Sequence, residues 1–171
     1  MIKRISIIGP ESTGKSTLAQ QLAAHFGTVH VPEFAREYLE QLDRPYNRGD
    51  LETIARGQMA LEDARAREAH RFLFCDTDLI VIKVWADYKY GTCPDWIAQR
   101  LIHRPHHHYL LCNIDLPWEA DVQRENPEEA DRQRLLRMYE RELISHGFPH
   151  DRISGQGAER FASALAALND L

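Results

Sequence analysis

The chain has 171 residues, 43% of them hydrophobic and 27% charged, with a net charge of −5. That length suits one domain with a sizeable core. The acidic balance offers no general attraction to nucleic acid or to anionic membranes, so any anion site must be local. No apolar run is long enough for a signal peptide or a membrane span. The three cysteines, Cys75, Cys93 and Cys112, are odd in number and not closely spaced, which fits a reducing, cytoplasmic setting.

In chain order, KRISIIG is a β-branched run ending in glycine and reads as a strand. GKSTLAQQLAAHFG has apolar residues at helical spacing and stops at Gly27. TVHVPE is a second strand, EFAREYLEQL a helix, and DRPYNRGD a turn. The next stretch, from Leu51 to Arg71, is long, charged and periodic, hence helical. RFLFCDTD is a buried-type strand ending in acids. LIVIKVWADYKYG follows it directly and lacks period-two polarity, so it is expected to be a helix. PDWIAQRLIHR is another helix, with Pro94 at its start. HRPHHHY, residues 103–109, suggests metal by its histidines, but the local spacing suits neither a helix-face pair nor a zinc knuckle. It reads as a polar loop feeding the strand HHYLLCNID. A polar, proline-punctuated excursion leads to the helix RQRLLRMYERELISHG. A short strand, DRISG, and a closing helix finish the chain. Strands alternating with helices imply right-handed βαβ units and a mostly parallel sheet in an α/β protein.

Gly9-Pro-Glu11-Ser12-Thr13-Gly14-Lys15-Ser16-Thr17 fits the phosphate-loop pattern G-x-x-x-x-G-K-[ST]. It follows a strand and opens a helix, as the mechanism requires. Its glycines let backbone N–H groups turn toward a phosphate, and the helix N-terminus adds positive potential. Lys15 is expected to reach the β- and γ-phosphates of ATP, and the Ser16 hydroxyl to ligate Mg²⁺. Asp76, ending the third strand, is the candidate second metal anchor. Asp78 is either a substrate-side acid or a cap for the next helix.

Three stretches are candidates for the acceptor pocket. Glu33 ends the second strand, where a carboxylate can take a proton from a hydroxyl acceptor; Arg36 lies one turn on and can pair with Glu33 or reach a phosphate. Trp85 and Tyr88 share a helix face and can stack on a flat ring, unless they belong to the core. Residues 117–134 form a candidate lid, with Arg124 as the leading phosphate-contacting arginine and Arg132 and Arg134 as further candidates.

Taken together, GPESTGKSTLA, VPEFAREYL, CDTD followed by WADYKYG, and YLLCNIDLPWEAD-x-x-RENP resemble the ribosylnicotinamide kinase domain of the NadR family, in order from about residue 3 to residue 140. The resemblance implies a three-layer P-loop NTPase kinase fold: a five-stranded parallel sheet with helices on both faces, filling residues 1–171 as a single domain. It implies ATP- and magnesium-dependent phosphorylation of the 5′-hydroxyl of nicotinamide riboside, feeding NAD synthesis. It makes Arg124 a lid arginine, and analogy with deoxynucleoside kinases makes Glu33 the base. The sequence opens on the P-loop strand, so the adenylyltransferase and helix-turn-helix domains of full NadR proteins are not expected. Val122 departs from the turn-forming residue of many relatives. Two alternatives stand beside this one. The first is another nucleoside or nucleotide kinase. The second is an ATP-binding regulatory module whose nucleotide state gates a partner. The expected partner is a small-molecule nucleoside, not nucleic acid or membrane.

Overall fold

The computed structural model describes residues 1–104 and 106–171. Its elements are β1 (Lys3–Ile8), α1 (Lys15–His25), β2 (His30–Val31), α2 (Phe34–Glu40), α3 (Arg48–Arg65), β3 (Phe72–Asp76), α4 (Leu79–Tyr90), α5 (Asp95–His103), β4 (His108–Cys112), α6 (Glu129–Ser145), β5 (His150–Ile153) and α7 (Ala158–Leu168). The five strands form one sheet in the order β2-β3-β1-β4-β5, and every pairing is parallel.

Alternation along the strands sorts side chains to the two faces. Ile5, Ile7, Phe72, Phe74, Leu110 and Cys112 pack toward α1 and α7. Ile8, Tyr109 and Leu111 pack toward α3, α4, α5 and α6. Both faces are covered, so β1, β3 and β4 are nearly continuous apolar runs, as a buried parallel sheet requires. Among the described residues, no helix is long and apolar enough to cross a membrane.

The elements follow the sequence expectations, with four differences; the first is that the long helix expected to reach Arg71 ends at Arg65. β2 has only two residues. Pro32 has no N–H to give the sheet, and Glu33 is already the N-cap of α2, so the strand ends early. α3 begins inside the turn-like stretch, at Arg48. There Asn47 accepts hydrogen bonds from Gly49 N and Asp50 N, and Asp50 reaches back to Asn47 N, a complete capping box. The histidine run is not a wholly solvated loop: His106 before β4 and His108, the first residue of β4, are buried, and Pro105 lies outside the described residues.

β1 sits at the centre of the sheet, with β3 and β4 on either side. The loop that leaves its C-terminal end is therefore flanked by the ends of two parallel strands. This is where open α/β sheets place their ligands.

Candidate functional site

The phosphate loop, residues 9–16, joins β1 to α1 and is shaped by its glycines. Gly9 has φ 140°, and a Cβ there would sit 2.7 Å from the Cys112 carbonyl of β4. Only glycine allows both that conformation and that approach. Gly14 is the left-handed N-cap of α1. Thr13 Oγ1 donates to the Pro10 carbonyl at 2.7 Å, and Lys15 Nζ donates to the same oxygen at 2.9 Å. The lysine therefore lies across the mouth of its own loop.

Ser16 and Asp76 are brought together from α1 and the end of β3. Ser16 Oγ donates to Asp76 Oδ2 at 2.5 Å. The other oxygen, Asp76 Oδ1, is buried with no hydrogen-bond partner among the described residues. Burial pushes the Asp76 carboxyl up, while Lys15 and Ser16 pull it down. A hydroxyl and a carboxylate with an unused buried oxygen are hard donors, and they fit Mg²⁺.

Glu33, half-buried at the start of α2, faces the same cleft. Burial raises its pKa, and Asp76 raises it further, against Lys15 and Arg36. Its carboxylate makes no capping bond to α2, so it is not committed to holding that helix. Arg36 does not pair with Glu33. Its Nη1 meets Asp121 Oδ2 of the lid segment at 3.1 Å, and its carbonyl accepts from Gln123 Nε2. Residues 121–123 thus lie across α2, and they reach Arg36 before Glu33 does.

The excursion between β4 and α6, residues 113–128, runs over the phosphate loop. Ser12 Oγ accepts from Glu119 N at 2.9 Å. Glu11 accepts from Glu125 N, Asn126 N and Asn126 Nδ2 at 2.9–3.2 Å. Arg124 Nη1 approaches Ser12 Oγ at 3.5 Å and donates to the Glu119 carbonyl, so the guanidinium lies over the loop. Arg132 is a correction. It is buried in the first turn of α6, its guanidinium 5.4 Å from the centre of the Trp118 ring, and it does not line the cleft. At the start of α6 it falls beneath the lid rather than on it. Arg134 instead stacks over the Tyr88 ring, 5.2 Å from its centre.

Trp85 and Tyr88 of α4 do line the cleft. Their polar ends are tied down: Trp85 Nε1 donates to Tyr46 Oη at 3.0 Å, and Tyr88 Oη donates to Asp131 at 2.9 Å. Tyr46 in turn donates to Glu125 of the lid at 2.7 Å. Asp78 is a second correction. It is fully buried, caps α4 by accepting from Ile80 N at 3.0 Å, and does not line the cleft. Two residues past Asp76, the chain has already turned into α4 and carries this acid behind the sheet edge.

Two roles escaped the sequence. Arg160 of α7 is buried and donates to the carbonyls of Thr13, Asn113 and Gly155 and to Asp115. It braces the phosphate loop from behind. A single arginine on the apolar face of α7 was the available signal. Glu11 serves as the clasp of the lid, which no local pattern announces. Together these walls enclose a cleft of about 730 Å³, within the size range of small-ligand sites.

A model of the AAA domain family matches residues 4–160. The trifunctional NAD biosynthesis/regulator protein NadR of Escherichia coli (strain K12) is 26% identical over 137 residues, which is 77% of this chain and 33% of that protein. The chain thus spans about a third of the length of this curated relative. A crystal structure of NadR in complex with NR superposes with a TM-score of 0.73 at 23% identity, covering 98% of this chain and 49% of that one. Thymidylate kinase from Ehrlichia chaffeensis superposes with a TM-score of 0.71 at 11% identity, covering 98% and 99%. Loop, sheet order and sequence match agree: the chain belongs to the AAA domain family, is similar to NadR, and has the fold of P-loop kinases.

Proposed function

We propose that residues 1–171 act as a single kinase domain that transfers the γ-phosphoryl group of ATP to the 5′-hydroxyl of nicotinamide riboside, giving nicotinamide mononucleotide for NAD synthesis. The observation that carries this reading is the pairing of a phosphate loop with a free acceptor-side carboxylate. Glu33 shares one cleft with Lys15 and Ser16 and makes no bond that a structural acid would make there. Similarity to NadR, one of whose structures holds NR, supports the choice of acceptor.

In this mechanism the α1 N-terminus and the loop N–H groups of residues 9–17 hold the phosphates of ATP. Lys15 leaves the Pro10 carbonyl for the β- and γ-phosphates. Ser16 and Asp76 would hold Mg²⁺, which when bound would supply charge neutralisation for the transferring group. Trp85 and Tyr88 stack on the nicotinamide ring, and Arg36 flanks the riboside. Glu33 takes the proton as the 5′-oxygen attacks phosphorus, and the bond to the β-phosphate oxygen breaks to release ADP. Arg124, delivered by the lid, stabilises charge on the equatorial oxygens and closes the site to water.

Thymidylate kinase and deoxyadenosine kinase share the fold, so a different nucleoside or nucleotide acceptor is the second reading. ADP release from ATP and Mg²⁺, measured with and without nicotinamide riboside, separates them. The proposal expects strong stimulation by the riboside. Stronger stimulation by uridine or deoxycytidine would replace the acceptor and keep the kinase. No stimulation by any acceptor would favour a regulatory ATPase.

A further inference from the structure

Behind the cleft, on the α3 side of the sheet, lies a second cluster that the kinase reaction does not use. Glu62 of α3, Cys75 of β3 and His106 before β4 each bring one ligand atom to within 4.8 Å of the others, and all three are buried. The Glu62 and His106 side chains are 1% and 3% exposed. Glu62 Oε2 is held by Arg4 Nη1 at 3.4 Å and by Arg104 Nη2 at 3.2 Å, which leaves Oε1 buried without a partner among the described residues. His106 Nδ1 lies 3.1 Å from Asp78 Oδ2, and Nε2 lies 3.6 Å from Glu62 Oε2, yet among the described residues neither ring nitrogen makes a hydrogen bond of good geometry. Ser6, the register partner of Cys75 on β1, also has a buried, unpartnered hydroxyl.

An imidazolium bridging Asp78 and Glu62 is the simplest account of this cluster. It meets Asp78 Oδ2 at 3.1 Å and Glu62 Oε2 at 3.6 Å in poor geometry and leaves Glu62 Oε1 with no partner among the described residues, so these buried groups are incompletely satisfied. A divalent cation satisfies them better. We propose that Glu62, Cys75 and His106 form a structural zinc site, with Glu62 Oε1, Cys75 Sγ and His106 Nε2 as protein ligands and a water as the fourth. Thiolate, imidazole and carboxylate together select zinc among the common divalent ions. Asp78 then accepts from His106 Nδ1–H and orients the ring, the usual carboxylate–histidine–metal arrangement. Arg4 and Arg104 do the same for Glu62.

Charge balance favours the exchange. Without metal, the His106 ring lies 3.1 Å from Asp78 Oδ2 and 3.6 Å from Glu62 Oε2, as an imidazolium between two acids would, and the Cys75 thiol is fully buried. Without metal the thiol and imidazolium together carry one positive charge. A Zn²⁺ ion with a thiolate and a neutral imidazole also carries one. The reaction is one Zn²⁺ in and two protons out, from Cys75 and from His106, with the surrounding acids and arginines unchanged. Zinc bonds of about 2.0–2.3 Å require the three ligand atoms to contract by up to about 1 Å. The bound ion would tie α3 and the approach to β4 to Cys75, the residue before Asp76.

The test uses the full chain. After dialysis, metal analysis is expected to find about one zinc per chain. After stripping, added Co²⁺ is expected to give an intense near-ultraviolet thiolate-to-cobalt band, which cobalt on the all-oxygen Ser16–Asp76 pair cannot give. Cys93→Ser and Cys112→Ser should keep the band and Cys75→Ser should lose it. A wild-type protein with no retained zinc and no thiolate–cobalt band overturns the proposal. So does a band that survives in Cys75→Ser. If Cys75→Ser does not fold, Glu62→Gln reads the same loss, and the wild-type spectrum alone still decides.

Discussion

Glu33→Gln is the variant that bears most directly on the chemistry. The substitution keeps the shape of the side chain and removes its capacity to accept a proton. Lys15, Ser16, Asp76 and Arg124 belong to other elements and stay in place. The loss is therefore confined to general-base assistance, at least about 10²-fold in kcat, or about 2.7 kcal/mol of barrier. Riboside KM should change little. Because the Glu33 carboxylate makes no capping bond, stability should change little as well. The pH profile adds a second readout. Burial and Asp76 raise the Glu33 pKa, and the working form is the carboxylate. Activity should thus be full above that raised pKa and fall as pH drops through it, giving an acid limb above the usual carboxylate range. Glu33→Gln should lack that limb. The assay is initial-rate ADP release at saturating ATP across pH. A variant with kcat within about threefold of wild type, or with the same acid limb, would refute the base assignment and move it to Asp76.

Lys15→Ala should reduce turnover by about 10²-fold or more and raise the KM for ATP, read by the same assay, because Lys15 Nζ, held at 2.9 Å on the Pro10 carbonyl, is the loop's own cation for the β- and γ-phosphates. Arg160→Lys should lower stability by roughly 1–3 kcal/mol in urea unfolding and weaken ATP binding, since the bracing carbonyls of Thr13, Asn113 and Gly155 lose the fork that pairs them. Asp50 is buried between Arg44, Asn47 N and Tyr38, and Arg44 first among these holds its carboxyl well below the usual range. Its contribution is present above the unfolded carboxylate pKa and is lost as pH falls toward the depressed folded one. Urea midpoints should drop below about pH 4, and Asp50→Ala should flatten that drop.

The phosphate loop was legible because its requirements are contiguous: a strand and, directly after it, two glycines, a lysine and a hydroxyl within residues 9–16. The helical reading of α4 held for a related reason. Its apolar residues have no period-two break, and Gly91 ends it in a left-handed cap. Asp76 was placed by the rule that parallel strands end at the ligand edge. Asp78, two residues on, shows the limit of that rule, since one turn of chain carries it into a buried cap. Arg36 lines the cleft as expected, but its partner, Asp121, and the Trp118 ring beside Arg132 come from the lid, and no local spacing encodes a loop folding back over the domain. Glu11 and Arg160 are the same case: their roles exist only across 115 and 147 residues of separation. The histidine run was judged on local metal-ligand spacing, yet His106 finds Glu62 and Cys75 through the sheet. The capping box of Asn47 and Asp50 was readable, and the proline-bearing stretch before it obscured it.

The central claim is phosphoryl transfer to a riboside hydroxyl, and the most direct measurement follows the phosphorus atom itself. The protein is incubated with Mg²⁺, nicotinamide riboside and ATP labelled at the γ-phosphate, and the products are separated and identified by mass and ³¹P spectra. The account predicts label in nicotinamide mononucleotide, on the 5′-oxygen, in step with ADP. Label appearing only as inorganic phosphate, with the riboside recovered unchanged, would contradict it.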